Sequence, residues 1–133
     1  MTQSDRELLL KDLSARLTYK PVCHAGEINH DGELYFINTI YNIVALTSDK
    51  AAGKFETCPV VDVKPYLRPL SSMTKEEKEE YICLSDLVAV DGVFVSSYET
   101  FDWLNKHHFD YRGLIEKGLA LKAPKNMYKA YEH

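Results

Sequence analysis

Two prolines in the stretch Lys64-Pro65-Tyr66-Leu67-Arg68-Pro69-Leu70 constrain this chain more than any other feature. Each removes a backbone donor and pushes the residue before it into an extended conformation, so no helix crosses the stretch and strand pairing is expected to stop there. The stretch predicts an ordered connector over 64–73, with Tyr66 and Leu67 buried and Arg68 facing polar groups. It separates a first half whose apolar residues suit strands from a second half with helical spacing.

Upstream, Ser4 and Glu7 form a capping-box pattern, and Leu9, Leu10, Leu13 and Leu17 then recur at helical intervals, which predicts a helix over 5–17. Residues 19–24, 34–39, 41–46 and 55–63 are rich in aromatic and β-branched side chains and read as strands. Ala25-Gly26, Asp31-Gly32 and the run from Ser48 to Gly53 supply the turns, giving an antiparallel meander over 19–63. So few short strands need a covering layer. The expected fold is α+β, a small antiparallel sheet or SH3-like barrel preceded by an N-terminal helix and followed by short C-terminal helices.

Downstream, Thr74 and Glu77 form a second capping box, so a helix should start there and run to about Cys83 with its KEEKEE face in solvent. Asp91-Gly92 between short apolar runs suggests a hairpin or a turn and strand. Helices follow over about 98–107 and over 111–117, the second stopped by Gly118, and 122–133 reads as an irregular tail. The chain is expected to form a single domain over 1–133, a common domain size.

Charge and cysteine content narrow the function classes. With 16 Lys+Arg against 20 Asp+Glu the chain is acidic, so nucleic-acid binding would require Lys64, Arg68, Lys122, Lys125 and Lys129 to converge on one face. The longest aliphatic runs, 43–46 and 87–90, fall far short of the ~20 residues a membrane span needs. Acidic residues flank the Leu8-Leu9-Leu10 run, where a leader peptide would carry basic ones, so a cytoplasmic location is expected. Cys23, Cys58 and Cys83 are an odd number without paired spacing and read as reduced thiols. Cys23, His24 and His30 lack the spacing of a zinc site, so neither metal nor cofactor is expected.

No phosphate-binding loop, dinucleotide fingerprint, nucleophile elbow or zinc helix is present. The segment Trp103-Leu104-Asn105-Lys106-His107-His108-Phe109-Asp110-Tyr111-Arg112-Gly113 is the densest in chemistry. One reading makes His107 or His108 an acid-base group supported by Asp110 and Arg112, as in an unfamiliar hydrolase or transferase. Adjacent residues on a helix diverge by about 100°, so the histidines would not converge. The favoured reading is a structural corner in which Trp103 and Phe109 are buried, Asp110 caps a helix starting near Tyr111, and Arg112 pairs or stacks locally. Cys23 and His24 face opposite sides of a strand and form no catalytic pair. Nine tyrosines supply either core or an interface. Tyr66, Arg68, Trp103, His108, Tyr111 and Arg112 are the candidate binding residues.

The strings DVKPYLRPLSSMT (62–74) and WLNKHHFDYRGLIEKGLA (103–120) resemble small uncharacterised proteins of Bacteroides-type bacteria and of their phages or mobile elements. The resemblance implies a phage or mobile-element setting and no particular activity. The leading expectation is a non-enzymatic accessory module that binds a protein partner or a small ligand.

Overall fold

The computed structural model describes residues 1–86, 89–90, 93–94 and 98–128. Helix α1 (Gln3–Arg16) leads into strands β1 (Val22–Ala25), β2 (His30–Asn38), β3 (Ile43–Asp49), β4 (Lys54–Pro59) and β5 (Val63–Leu67). Helix α2 (Lys75–Asp86), the short strands β6 (Ala89–Val90) and β7 (Val93–Phe94), helix α3 (Tyr98–Lys106) and strand β8 (Leu121–Lys122) complete the order. Six strands form one sheet in the order β4-β3-β2-β1-β5-β8, antiparallel except for the parallel β5–β8 pair, while β6 and β7 pair separately as a hairpin. The fold is α+β. Its outer strands β4 and β8 do not meet, so the sheet is open and the barrel alternative is set aside.

The stretch around the prolines is a correction. Instead of ending strand pairing, Val63–Leu67 is an interior strand between β1 and β8. Gly26 N–H donates to Asp62 C=O, and the antiparallel alternation from that bond puts Pro65 opposite Cys23 at a non-hydrogen-bonded position. Its missing N–H therefore costs no bond to β1, and the pairing with β8 begins only at Tyr66. Leu67 is buried as expected, but Tyr66 lies half-buried on the opposite face.

Other boundaries moved for local reasons. The first capping box is Thr2 with Asp5, not Ser4 with Glu7: Thr2 Oγ1 accepts from Asp5 N–H at 3.0 Å, and Asp5 Oδ2 accepts from Thr2 N–H at 3.2 Å. A 3-10 turn over Leu17–Tyr19 and a left-handed Lys20 delay β1 to Val22. A second such turn, Val60–Asp62, divides the single strand expected over 55–63. Asp31-Gly32 is no turn but part of β2; the chain reverses earlier, where Asn29 takes φ 48°. A Cβ at Gly32 would collide with the Thr47 carbonyl oxygen, so glycine here permits close strand approach.

The core lies between α1 and one face of the sheet. Leu9 and Leu13 of α1 pack with Cys23, Ala25, Leu34, Val44, Leu46, Val60, Val63 and Leu67, and Leu114 and Leu119 join from the C-terminal segment. That segment is more ordered than a tail. Ala123 N–H donates to Leu67 C=O, and buried Tyr128 donates its hydroxyl to Tyr66 C=O at 2.7 Å while accepting from Val22 N–H at 3.0 Å. Residue Lys129 and those after it lie outside the described residues.

Candidate functional site

Helix α2 begins as its sequence dictates. Thr74 Oγ1 accepts from Glu77 N–H at 3.1 Å and Glu77 Oε1 accepts from Thr74 N–H at 2.9 Å, the reciprocal capping box. Glu77 does more than cap. Although Lys75, Glu76, Lys78, Glu79 and Glu80 are exposed as expected, Glu77 is buried and held bidentately by Arg68, at 2.6 and 2.8 Å. Burial pushes its carboxyl up, but the Arg68 and Thr74 hydrogen bonds and the charges of Arg68 and His107 outweigh it and leave the group below its ordinary value. The Arg68 guanidinium also covers the Phe109 ring at 4.2 Å, and Phe109 in turn stacks on Trp103 at 5.6 Å. One residue of the proline stretch thus anchors both the start of α2 and the aromatic layer behind α3.

Helix α3 ends in a Schellman motif. Phe109 N–H donates to Leu104 C=O and His108 N–H to Asn105 C=O, with His108 in the left-handed conformation at φ 62°, a place usually held by glycine. Its ring stacks on Tyr128 at 3.7 Å, and its carbonyl accepts from Arg68 N–H at 2.7 Å. The ring is buried, and burial, reinforced by the charges of Arg16, His107 and Arg68, pushes its pKa down to about 3. An unfolded histidine titrates near 6.5. Between those values the unfolded chain binds a proton that the folded chain refuses, so the contribution is complete above about 6.5 and declines as pH falls towards 3. Unfolding free energies measured across this window should fall with acidity. The decline should be shallower in His108→Asn, which keeps a residue that tolerates positive φ but has no imidazole.

The helix expected over 111–117 is absent; residues 111–113 are irregular with a bend at Arg112, and 114–118 form a turn. Asp110 still caps, because Oδ1 accepts from Leu114 N–H at 2.9 Å and Oδ2 from Ile115 N–H at 3.0 Å. Arg112 donates to Asp12 Oδ1 at 3.0 Å and lies over the Tyr111 ring, whose hydroxyl bonds Asn105 Oδ1. Phe109 is fully buried, whereas Trp103 is only partly so. His107, His108, Asp110 and Arg112 therefore engage four different sets of partners and do not form one acid-base constellation.

What the fold does bring together is a groove between α2 and α3. It encloses about 840 Å³ and is lined by Glu76, Glu77, Glu79 and Glu80 on one side and Trp103, Lys106 and His107 on the other. Trp103 Nε1–H donates to Glu80 Oε2 at 3.0 Å, which fixes the indole at the wall with Tyr81 5.9 Å away, ring to ring. His107 Nδ1 lies 3.6 Å from Glu77 Oε2, and burial lowers the imidazole pKa against the pull of Glu77 and Glu80. Exposed Cys83 also lines the groove, unlike buried Cys23 and Cys58, and all three thiols are free. Of the residues expected to bind, Trp103 lines this groove and Arg68 supports it through Glu77. His108, Tyr111 and Arg112 face the α1 side and the C-terminal segment instead.

Tyr66 belongs to a separate cluster that the linear sequence does not reveal. Across β1, β2 and β5, His24 Nδ1–H donates to Asp31 Oδ1 at 2.6 Å, and Asp31 also accepts from the Tyr66 hydroxyl at 3.2 Å. Residues 24, 31 and 66 are brought together only by strand register. The pair fixes the tautomer of His24, but it lies on the open sheet face and does not line the groove.

Among the described residues, no helix is long and apolar enough to cross a membrane, and no group of three or more His, Cys, Asp or Glu side chains is placed to hold a metal ion. Comparison of the chain with protein-family models, with curated proteins and with solved structures gives no match.

Proposed function

We propose that the protein is a non-enzymatic binding module that takes a basic segment of a partner protein into the α2–α3 groove. The observation that carries this reading is the joining of carboxylates and an indole around one cavity: Glu76, Glu79 and Glu80 face it together with Trp103. Its volume falls in the range of ligand-binding clefts, roughly 300–1,000 Å³. Lysine and arginine side chains are recognised by this combination, since carboxylates supply charge and an aromatic face supplies cation–π attraction. Glu77 does not compete for such a ligand, because Arg68 already neutralises it. The resemblance of the 62–74 and 103–120 strings supports a phage or mobile-element setting.

The single tryptophan of the chain stands at the groove wall and reports its occupancy. Titration with a short Lys/Arg-rich peptide should change Trp103 fluorescence saturably and more weakly as salt rises, whereas an Asp/Glu-rich peptide of equal length should leave it unchanged. Glu76→Gln combined with Glu79→Gln should weaken the basic peptide on the order of tenfold, about 1.4 kcal/mol. Equal affinity for the two peptides, or for the wild type and the double variant, would overturn the proposal.

A further inference from the structure

The sheet has one long free edge. Strand β4 pairs with β3 on one side, and among the described residues nothing pairs with its other side. Val60 N–H donates to Asn42 C=O, and the alternation from that bond turns the backbone groups of Phe55 and Thr57 outward. Pro59 shares their parity, so its missing N–H falls on the free side. Beside this edge lies an exposed aromatic cluster. A bulge between Leu34 and Phe36 lets the consecutive residues Tyr35 and Phe36 both reach Phe55, at 5.2 and 5.3 Å, while Tyr35 and Phe55 remain 52% and 42% exposed. An unpaired edge flanked by exposed aromatic rings is the arrangement that soluble proteins ordinarily cover or charge.

We propose that the occupant is a second copy of this chain, joined edge to edge through β4 about a two-fold axis at Phe55. The charges on the strand select both the partner and the register. Antiparallel self-pairing joins outward-facing residues only when the axis passes through a residue of β4 rather than between two. An axis at Glu56 sets two carboxylates directly opposite each other, which is repulsive. An axis at Thr57 sets Phe55 opposite Pro59, which has no N–H to give. An axis at Phe55 sets Lys54 opposite Glu56 of the second copy, and Glu56 opposite its Lys54, so every one of these charges faces an opposite one and two ion pairs form. Neither Lys54 nor Glu56 makes an ion pair within its own chain among the described residues. The same axis brings the two Phe55 rings side by side, each backed by its own Tyr35 and Phe36, and extends the sheet across both copies. The dimer leaves the α2–α3 groove out of the interface and does not depend on what that groove binds.

Sedimentation across a concentration series should show a reversible monomer–dimer equilibrium for the whole chain. Lys54→Glu alone and Glu56→Lys alone each create two like-charged pairs and should weaken the dimer on the order of tenfold. The double variant carrying both changes restores opposite charges and should return to near wild-type association. Phe55→Asp should be monomeric throughout, with an unfolding transition showing that it still folds. A wild type that stays monomeric at every concentration overturns the proposal, as does a dimer that the single charge variants leave unchanged or that the double variant fails to restore.

Discussion

Asp12→Ala is expected to lower the unfolding free energy by about 3–5 kcal/mol, the usual cost of stripping one partner from a buried charge network. Asp12 and Arg16, one helical turn apart on α1, are both fully buried. Asp12 Oδ2 accepts from Arg16 Nε–H at 2.8 Å and Oδ1 from Arg112 at 3.0 Å, so a single carboxylate is shared between two guanidinium groups. Arg16 spends one further donor on the Phe109 carbonyl at 2.7 Å, and its Nη1 is buried without a hydrogen-bond partner among the described residues. Removing Asp12 leaves that cation desolvated and unpaired. Asp12→Leu combined with Arg16→Met should recover most of the loss, because the apolar pair has no charge to solvate. Urea denaturation of the single and double variants decides it; a loss below about 1 kcal/mol for Asp12→Ala would mean that water reaches the network.

Phe109→Ala should cost a similar amount, about 3–5 kcal/mol, since a fully buried ring is lost and the cavity refills poorly. The ring lies between the Arg68 guanidinium and the Trp103 indole, so its removal takes the support from both walls of this layer. Phe109→Leu, which restores most of the volume, should cost less than about 1.5 kcal/mol. The near-ultraviolet circular dichroism of Trp103 provides a second readout, because it depends on the indole being held rigidly. A variant that loses stability yet keeps that signal would show that Phe109 acts only through its own burial and not by supporting Trp103.

The two predictions meet at one place. The Phe109 carbonyl is held by Arg16 from α1, and its ring carries Arg68 from the end of β5, so the segment after α3 is tied both to the N-terminal helix and to the sheet. Backbone bonds strengthen the tie: Arg68 N–H donates to His108 C=O, and Asp110 N–H donates to Arg68 C=O. The groove wall formed by α3 is therefore fixed by residues drawn from two distant parts of the chain, α1 and the end of β5.

Local information in the sequence determined a good deal. Thr74 and Glu77 form the expected box because capping involves only groups three residues apart. Leu9 and Leu13 face the core because helical spacing puts them on one side, and Asp110 caps the amides that follow it because its short side chain reaches them. The alternating, aromatic-rich first half forms a meander for the same local reason. Tertiary structure decided the remainder. Pro65 sits inside a sheet because register placed its missing donor where β1 required none, and no property of the KPYLRP stretch itself states that register. Residues 111–117 form an irregular stretch and a turn rather than a helix, with Arg112 drawn to Asp12 and Leu114 to the core, contacts made to other parts of the chain. His108 adopts a backbone conformation unusual for its type because Tyr128 and Arg68, far away in sequence, hold it there. The His24–Asp31–Tyr66 cluster, the α2–α3 groove and the edge of β4 arise in the same way. Each depends on long-range contacts between strands or helices, whose energies are set by pairing and burial that no local window of residues encodes.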